Sequence, residues 1–166
     1  MSHTTHAEVS EADVERIRKH LEDLAGRVMS GDTTLKIELG LSDAEMEAMY
    51  AVAHNQYMNK RYQDALAAFS LLLLFDPVQY KYLLGQASCL QMAGHHEAAS
   101  VCYFTAAAAG PDEPAPYLHM AECLLKMKEP ESAMAALNKV TALAGGLAQY
   151  GAYRRQAEAM LENLQQ

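Results

Sequence analysis

Histidine, cysteine and carboxylate side chains are the groups that could hold a metal or move a proton in this 166-residue chain, and their spacing argues against both. Of the seven histidines, His3 and His6 fall in a stretch read as a disordered tail over residues 1–10, where weak adventitious metal affinity is the most they offer. His95 and His96 are neighbours at an expected turn, so their rings diverge and joint ligation is disfavoured. His119 and Cys123 form an i, i+4 pair that a helix brings to one face, but no third ligand follows at matching spacing. Cys89, Cys102 and Cys123 are odd in number and contain no C-x-x-C pair, which points to small buried hydrophobes and away from a disulfide framework or zinc knuckle. Glu129 and Glu131 flank a turn and belong to a solvated face. A glycine-rich phosphate cradle, a G-x-S-x-G elbow and an H-E-x-x-H pair are all missing from the sequence. The reading is a non-enzyme with no catalytic residue, no metal and no cofactor.

Charge and hydropathy narrow the partners. A net charge of -8 and a pI near 5.3 repel phosphate backbones and anionic lipid, which disfavours nucleic acid and membrane surfaces and leaves neutral, basic or apolar ligands. Met1 to Asp13 carries His3, His6, Glu8, Glu11 and Asp13 without an apolar run, so neither a secretory signal nor a transit peptide is expected. The most apolar run, Leu71 to Phe75, is far short of the roughly 20 residues that cross a bilayer. A cytoplasmic chain is therefore expected. With 51% hydrophobic and 20% charged residues it reads as one compact globular unit.

The elements that must position any binding side chain come from an internal repeat. A step of 34 residues, the period of the tetratricopeptide repeat, aligns Ala53 with Ala87 and Ala121, and Ala65 with Ala99 and Ala133. It also aligns Phe69, Tyr103 and Leu137, then Leu72, Ala106 and Val140, and it pairs Pro77 with Pro111. Small residues thus recur where two helices approach closely, and bulky ones recur in the core. The expected fold is all-α: three helical hairpins over 46–79, 80–113 and 114–147, turning at Asn59-Lys60-Arg61, Ala93-Gly94-His95 and Lys128-Glu129. Gly94 suits a left-handed helix end and Pro130 a first helical position, whereas the third turn, without a glycine, is expected to be the least typical. Ser42 with Glu45 makes a capping box, and Leu41 with Met46 the hydrophobic staple around it. A solvating helix is required at the end of such a stack. Residues 148–166 supply it, with Tyr153, Ala157, Met160, Leu161 and Leu164 on one face. Upstream, residues 11–41 form a separate helical region whose amphipathic stripe of Val14, Ile17, Leu21, Leu24, Ala25 and Val28 needs a cover.

Stacked hairpins present the first helix of each repeat on an inner wall. The inward positions are Glu47, Tyr50, His54, Tyr57 and Met58 in the first copy, and Lys81, Leu84, Ser88, Gln91 and Met92 in the second. In the third they are Ala115, Leu118, Glu122, Leu125 and Lys126. Large apolar and aromatic side chains mixed with a few polar ones suit an extended apolar peptide. Tyr50 and Tyr57, two turns apart, are taken to lie on a spare stripe because Met49, Val52, Ala53 and Gln56 fill the core positions of the same helix; packing aromatics are the competing reading.

Several runs carry a more specific likeness. They are Gly31-Asp32-Thr33-Thr34-Leu35; Tyr50-x-x-Ala53-x-x-x-Tyr57-x-x-x-x-Tyr62-x-x-Ala65-x-x-x-Phe69; Asp76 with Tyr82-x-x-Gly85; and Pro116 through Ala121-Glu122-Cys123-Leu124. Together they resemble the class II chaperones of bacterial type III secretion translocators over about residues 20 to 164. The resemblance implies a cytoplasmic bacterial chaperone that holds hydrophobic translocator proteins before export by seating a short extended N-terminal segment in the groove. It puts aromatic pocket positions on Tyr50, His54 and Tyr57, with Tyr62, Phe69 and Tyr103 behind them; His54 departs from the phenylalanine often found there. It further implies a homodimer through Val14, Ile17, Leu21, Leu24 and Val28, and a second role in binding a transcriptional activator. A generic scaffold that clamps acidic C-terminal peptides would want Lys and Asn where Tyr50, His54 and Tyr57 stand.

Overall fold

The computed structural model describes residues 10–164, and all regular structure among them is helical. The tail expected over 1–10 falls, but for Ser10, outside the described residues. The chain divides into two units, Met1–Leu41 and Ser42–Gln166, where composition alone suggested one.

The first unit contains α1 (Glu11–Ser30) and the short α2 (Leu35–Glu38). Ser10 caps α1 by accepting from the Asp13 N–H, and Gly31 ends it in the left-handed conformation. Neither helix has a buried residue. Charge pairs carry α1: Arg18 reaches both Glu15 and Glu22 at 2.6 Å, and Arg27 reaches across to Glu38 on α2 at 2.9 Å. Its apolar stripe is largely bare. Val14, Ile17 and Leu21 are exposed, while Leu21, Leu24, Ala25, Val28, Met29 and Leu35 line a shallow apolar depression.

The second unit is a stack of antiparallel hairpins: α3 (Asp43–Met58) with α4 (Tyr62–Phe75), α5 (Tyr80–Met92) with α6 (His96–Ala109), and α7 (Ala115–Lys126) with α8 (Pro130–Ala144). A 3₁₀ turn, Ala148–Tyr150, leads into α9 (Gly151–Leu164). Each helix packs on its neighbours in sequence, and α3, α5, α7 and α9 also meet one another along one side. The aligned alanines Ala53, Ala65, Ala87, Ala99, Ala121 and Ala133 are all fully buried, because only a methyl group fits where helix backbones cross this closely. Phe69, Tyr103 and Leu137 fill the equivalent bulky positions. The expected capping box of Ser42 and Glu45 starts α3, with Met46 buried behind it.

The hairpin turns correct one expectation. The third is not atypical: Lys60, Gly94 and Lys128, equivalent by the repeat, all take positive φ, at 61°, 84° and 62°. All three turns close with the same pair of backbone bonds, Lys60 to Tyr57 and Arg61 to Gln56 in the first, and Lys128 to Leu125 and Glu129 to Leu124 in the third. The left-handed strain of about 1–2 kcal/mol per lysine is offset by this shared closure. At the far end, α9 buries Ala157 and lays Tyr153, Met160, Leu161 and Leu164 on a core that includes Leu118, Leu137 and Val140. No described helix is long and apolar enough to cross a membrane.

Candidate functional site

An open cavity of about 200 Å³ lies between the first and second hairpins. Tyr50, His54 and Tyr57 of α3 form one wall, Lys81, Leu84, Gly85 and Ser88 of α5 the other, and Phe69 of α4 the floor. The spacing of four and three residues puts the α3 side chains on one face of their helix.

Tyr50 is the most constrained of them. Its ring meets Phe69 edge-on at 6.0 Å, lies 5.9 Å from the rings of Tyr82 and His54, and has the Lys81 ammonium 4.6 Å from its centroid. Lys81 is in turn paired with Glu47, its repeat equivalent on α3. Tyr50 is therefore packed as well as pocket-facing, and the stripe is not spare. Val52, expected in the core, is 57% exposed instead, because within its unit α3 has no preceding hairpin to cover that face. Tyr57 meets the ring of Tyr62 at 5.6 Å. Partial burial pushes its phenol above the ordinary tyrosine range. Tyr62 thus stands behind the wall. Met58, at the end of α3, is 64% exposed and takes no part in the lining.

The equivalent position between the second and third hairpins is filled by the chain itself. Tyr103 replaces Phe69 there, and its hydroxyl donates to Gln91 Oε1 at 2.6 Å and lies 3.2 Å from Ser88 Oγ. The His119 ring stacks on Tyr103 at 5.5 Å. Glu122 gathers the rest: it is 3.0 Å from His119 Nδ1 and accepts from Gln91 Nε2 at 2.9 Å and from Gln156 Nε2 of α9 at 3.1 Å. These partners, His119 first, outweigh desolvation and hold the Glu122 carboxyl below the usual carboxylate range. Burial pushes the Tyr103 phenol well up. Of the groove residues expected from sequence, Gln91, Tyr103 and Glu122 are therefore joined in one chain of hydrogen bonds across this space. Leu118 belongs to the buried core around Ala121 and Leu137, since α9 docks in the same cluster and closes over it.

Burial pushes the Cys89 and Cys123 thiols up to about 11, so neither holds a thiolate near neutral pH. Cys123 is buried with Ala87, Ala99 and Tyr103, while His119 faces Glu122, which separates the i, i+4 pair chemically. No group of three or more metal-ligating side chains occurs among the described residues. Sequence reasoning did not single out Gly85 as a wall, His119 as a filler or Gln156 as a partner of Glu122. Their signal was the period: His119 stands 34 residues after Gly85, and Gln156 stands 34 after Glu122.

Residues 90–157 match the family described as Tetratricopeptide repeat. The sequence is 28% identical to the low calcium response locus protein H of Yersinia pestis over 134 residues, 81% of this chain and 80% of that protein. The structure is similar to PcrH from Pseudomonas aeruginosa, with 32% identity over 76% of this chain and 96% of that one and a TM-score of 0.73. PcrH has also been solved with the chaperone binding region of PopD. A similar likeness holds for SycD, a type III secretion chaperone of Yersinia enterocolitica solved in complex with a peptide of the translocator YopD: 29% identity, 75% of this chain, 95% of that one, TM-score 0.73.

Proposed function

This chain belongs to the tetratricopeptide-repeat family of type III secretion translocator chaperones, and we propose that it binds hydrophobic translocator proteins before export. The observation that carries the reading is the open aromatic cavity between α3, α4 and α5, adjoining the side along which α3, α5 and α7 meet. An extended segment lying along that side would place one apolar side chain in the cavity. Burying a side chain the size of leucine or phenylalanine contributes about 1.5–3 kcal/mol, while ordering the segment costs part of that. The complex is then exchangeable, as a holder that must release its cargo requires. Lys81 is already committed to Glu47, so a free C-terminal carboxylate finds no unpaired cation in the cavity, which disfavours the clamp reading.

The bare stripe of α1 supports a homodimer as its cover, through Val14, Ile17, Leu21, Leu24 and Val28. The work is binding, with no bond made or broken, in the cytoplasm of the bacterium that makes the translocators.

The test is co-expression with the neighbouring reading frames, followed by pull-down of this chain. A hydrophobic translocator should co-purify with the native chain and be lost with Tyr57→Ala, while that variant keeps its helical circular dichroism. Retention of the same cargo by Tyr57→Ala, or loss of its fold, removes Tyr57 from the site.

A further inference from the structure

Of the two positions between successive hairpins, the first is open and the second is filled. The difference lies in two residues. On α5 the wall position is Gly85, against the floor ring of Phe69; one repeat later the same two positions are His119 and Tyr103, whose rings stack and fill the space. Glycine in a helix interior costs about 1 kcal/mol relative to alanine, so its place in the middle of α5 calls for a reason. Packing supplies one. A Cβ built on Gly85 would stand 2.8 Å from Cδ1 of Phe69 and closer still to its Cε1 and Cζ, all rigid ring atoms. The ring packs against α5 at Gly85 because nothing projects there. With any side chain at 85, the ring must swing out, and the direction left open to it is the cavity whose floor it forms.

We propose that Gly85 sets the depth of the anchor pocket, so that the chain takes one large uncharged side chain of its cargo between α3 and α5 and none at the equivalent place between α5 and α7. The proposal rests on the peptide-holding reading and adds the size and number of anchors to it. A cavity of about 200 Å³ has room for a six-membered ring or a leucine side chain, since an apolar cavity of about 150 Å³ accepts benzene. The charged groups nearest it do not ask for a charged anchor: Lys81 is paired with Glu47, and the Glu122 carboxylate beyond Ser88 already accepts from Gln91 and Gln156.

Two probes separate this proposal from the function on which it rests. Benzene is titrated against the purified chain, read by NMR shifts of the Leu84 methyl groups, and the cargo fragment that survives proteolysis of the co-expressed complex is titrated by calorimetry. Gly85→Ala should lose the benzene shifts and bind the fragment at least about tenfold more weakly. The double variant Gly85→Ala/Phe69→Leu, in which a flexible side chain replaces the ring, should regain both. Gly26→Ala, where an added Cβ meets nothing within 4 Å, is the control. Gly85→Ala binding both probes like the native chain would overturn the proposal. So would a folded double variant that regains neither, whether or not Gly85→Ala itself folds. Native chain that binds benzene at Leu84 but retains no cargo fragment upholds the pocket and removes the chaperone reading alone.

Discussion

Phe69→Tyr tests the pocket with a single oxygen atom. At the equivalent place one repeat later, the Tyr103 hydroxyl reaches Gln91 and Ser88, whose counterparts around Phe69 are Tyr57 and His54. A hydroxyl on the floor should therefore project into the cavity between those two side chains. In the free chain the cost is small: His54 offers a ring nitrogen as partner and the cavity is open to water, so unfolding free energy should change by less than about 0.5 kcal/mol. In the complex the same hydroxyl is covered by an apolar anchor and loses its water. An imperfectly satisfied buried hydroxyl costs about 1–3 kcal/mol, which converts to a loss of roughly 5- to 150-fold in affinity. Calorimetric titration of the cargo fragment and urea unfolding of the free chain, run on the same preparation, measure the two quantities. Unchanged affinity with unchanged stability would refute the idea that cargo seats on the Phe69 ring. A stability loss of several kcal/mol would refute the idea that the space above it is open.

Three further outcomes are expected. Tyr103→Phe, the reverse exchange, leaves Gln91 Oε1 without its donor and should lower stability by about 1 kcal/mol, or roughly 3–6 °C in melting temperature for a unit of this size, with little change in cargo affinity. Glu122 is depressed in the folded chain, so the stability it lends is fully present above its unfolded pKa of about 4.5 and disappears as pH falls through the lower folded value; urea midpoints taken from pH 6 down to pH 3 should fall more steeply for the native chain than for Glu122→Gln. Leu21→Asp puts a charge in the middle of the bare α1 stripe and should halve the mass seen by light scattering, and an unchanged mass would remove that stripe from the interface.

The stack was legible because its most informative residues are the ones under the tightest steric rule. Ala53, Ala87 and Ala121, with Ala65, Ala99 and Ala133, recur at a fixed step since nothing larger fits between the helices, and a step is visible without any structure. The pocket was half legible. Tyr50, His54, Tyr57, Lys81, Leu84 and Ser88 could be named from their places in the repeat and Phe69 from the family resemblance, but the positional rule also named Leu118 and Glu122, which α9 removes by packing and by the Gln156 bond. A positional rule knows which way a side chain points; it does not know what comes to meet it. Val52 went wrong for the complementary reason: a helical stripe says which residues share a face, whereas exposure of that face depends on a neighbouring hairpin that the first repeat of this unit lacks. The turns show a third limit. Lys60 and Lys128 take the backbone conformation usually left to glycine, which the bond pattern of the closure enforces and residue type alone hides.

Four residues at one repeat position, His54, Ser88, Glu122 and Gln156, follow one another along the inner wall like letters in fixed slots. The slot is the same on α3, α5, α7 and α9, and what changes is whether its occupant turns to the next slot or to the groove. Glu122 and Gln156 bind each other across two helices, while His54 borders empty space. A repeat array of this kind can therefore move or resize its receptive site by exchanging single side chains in equivalent slots, with the backbone left as it is.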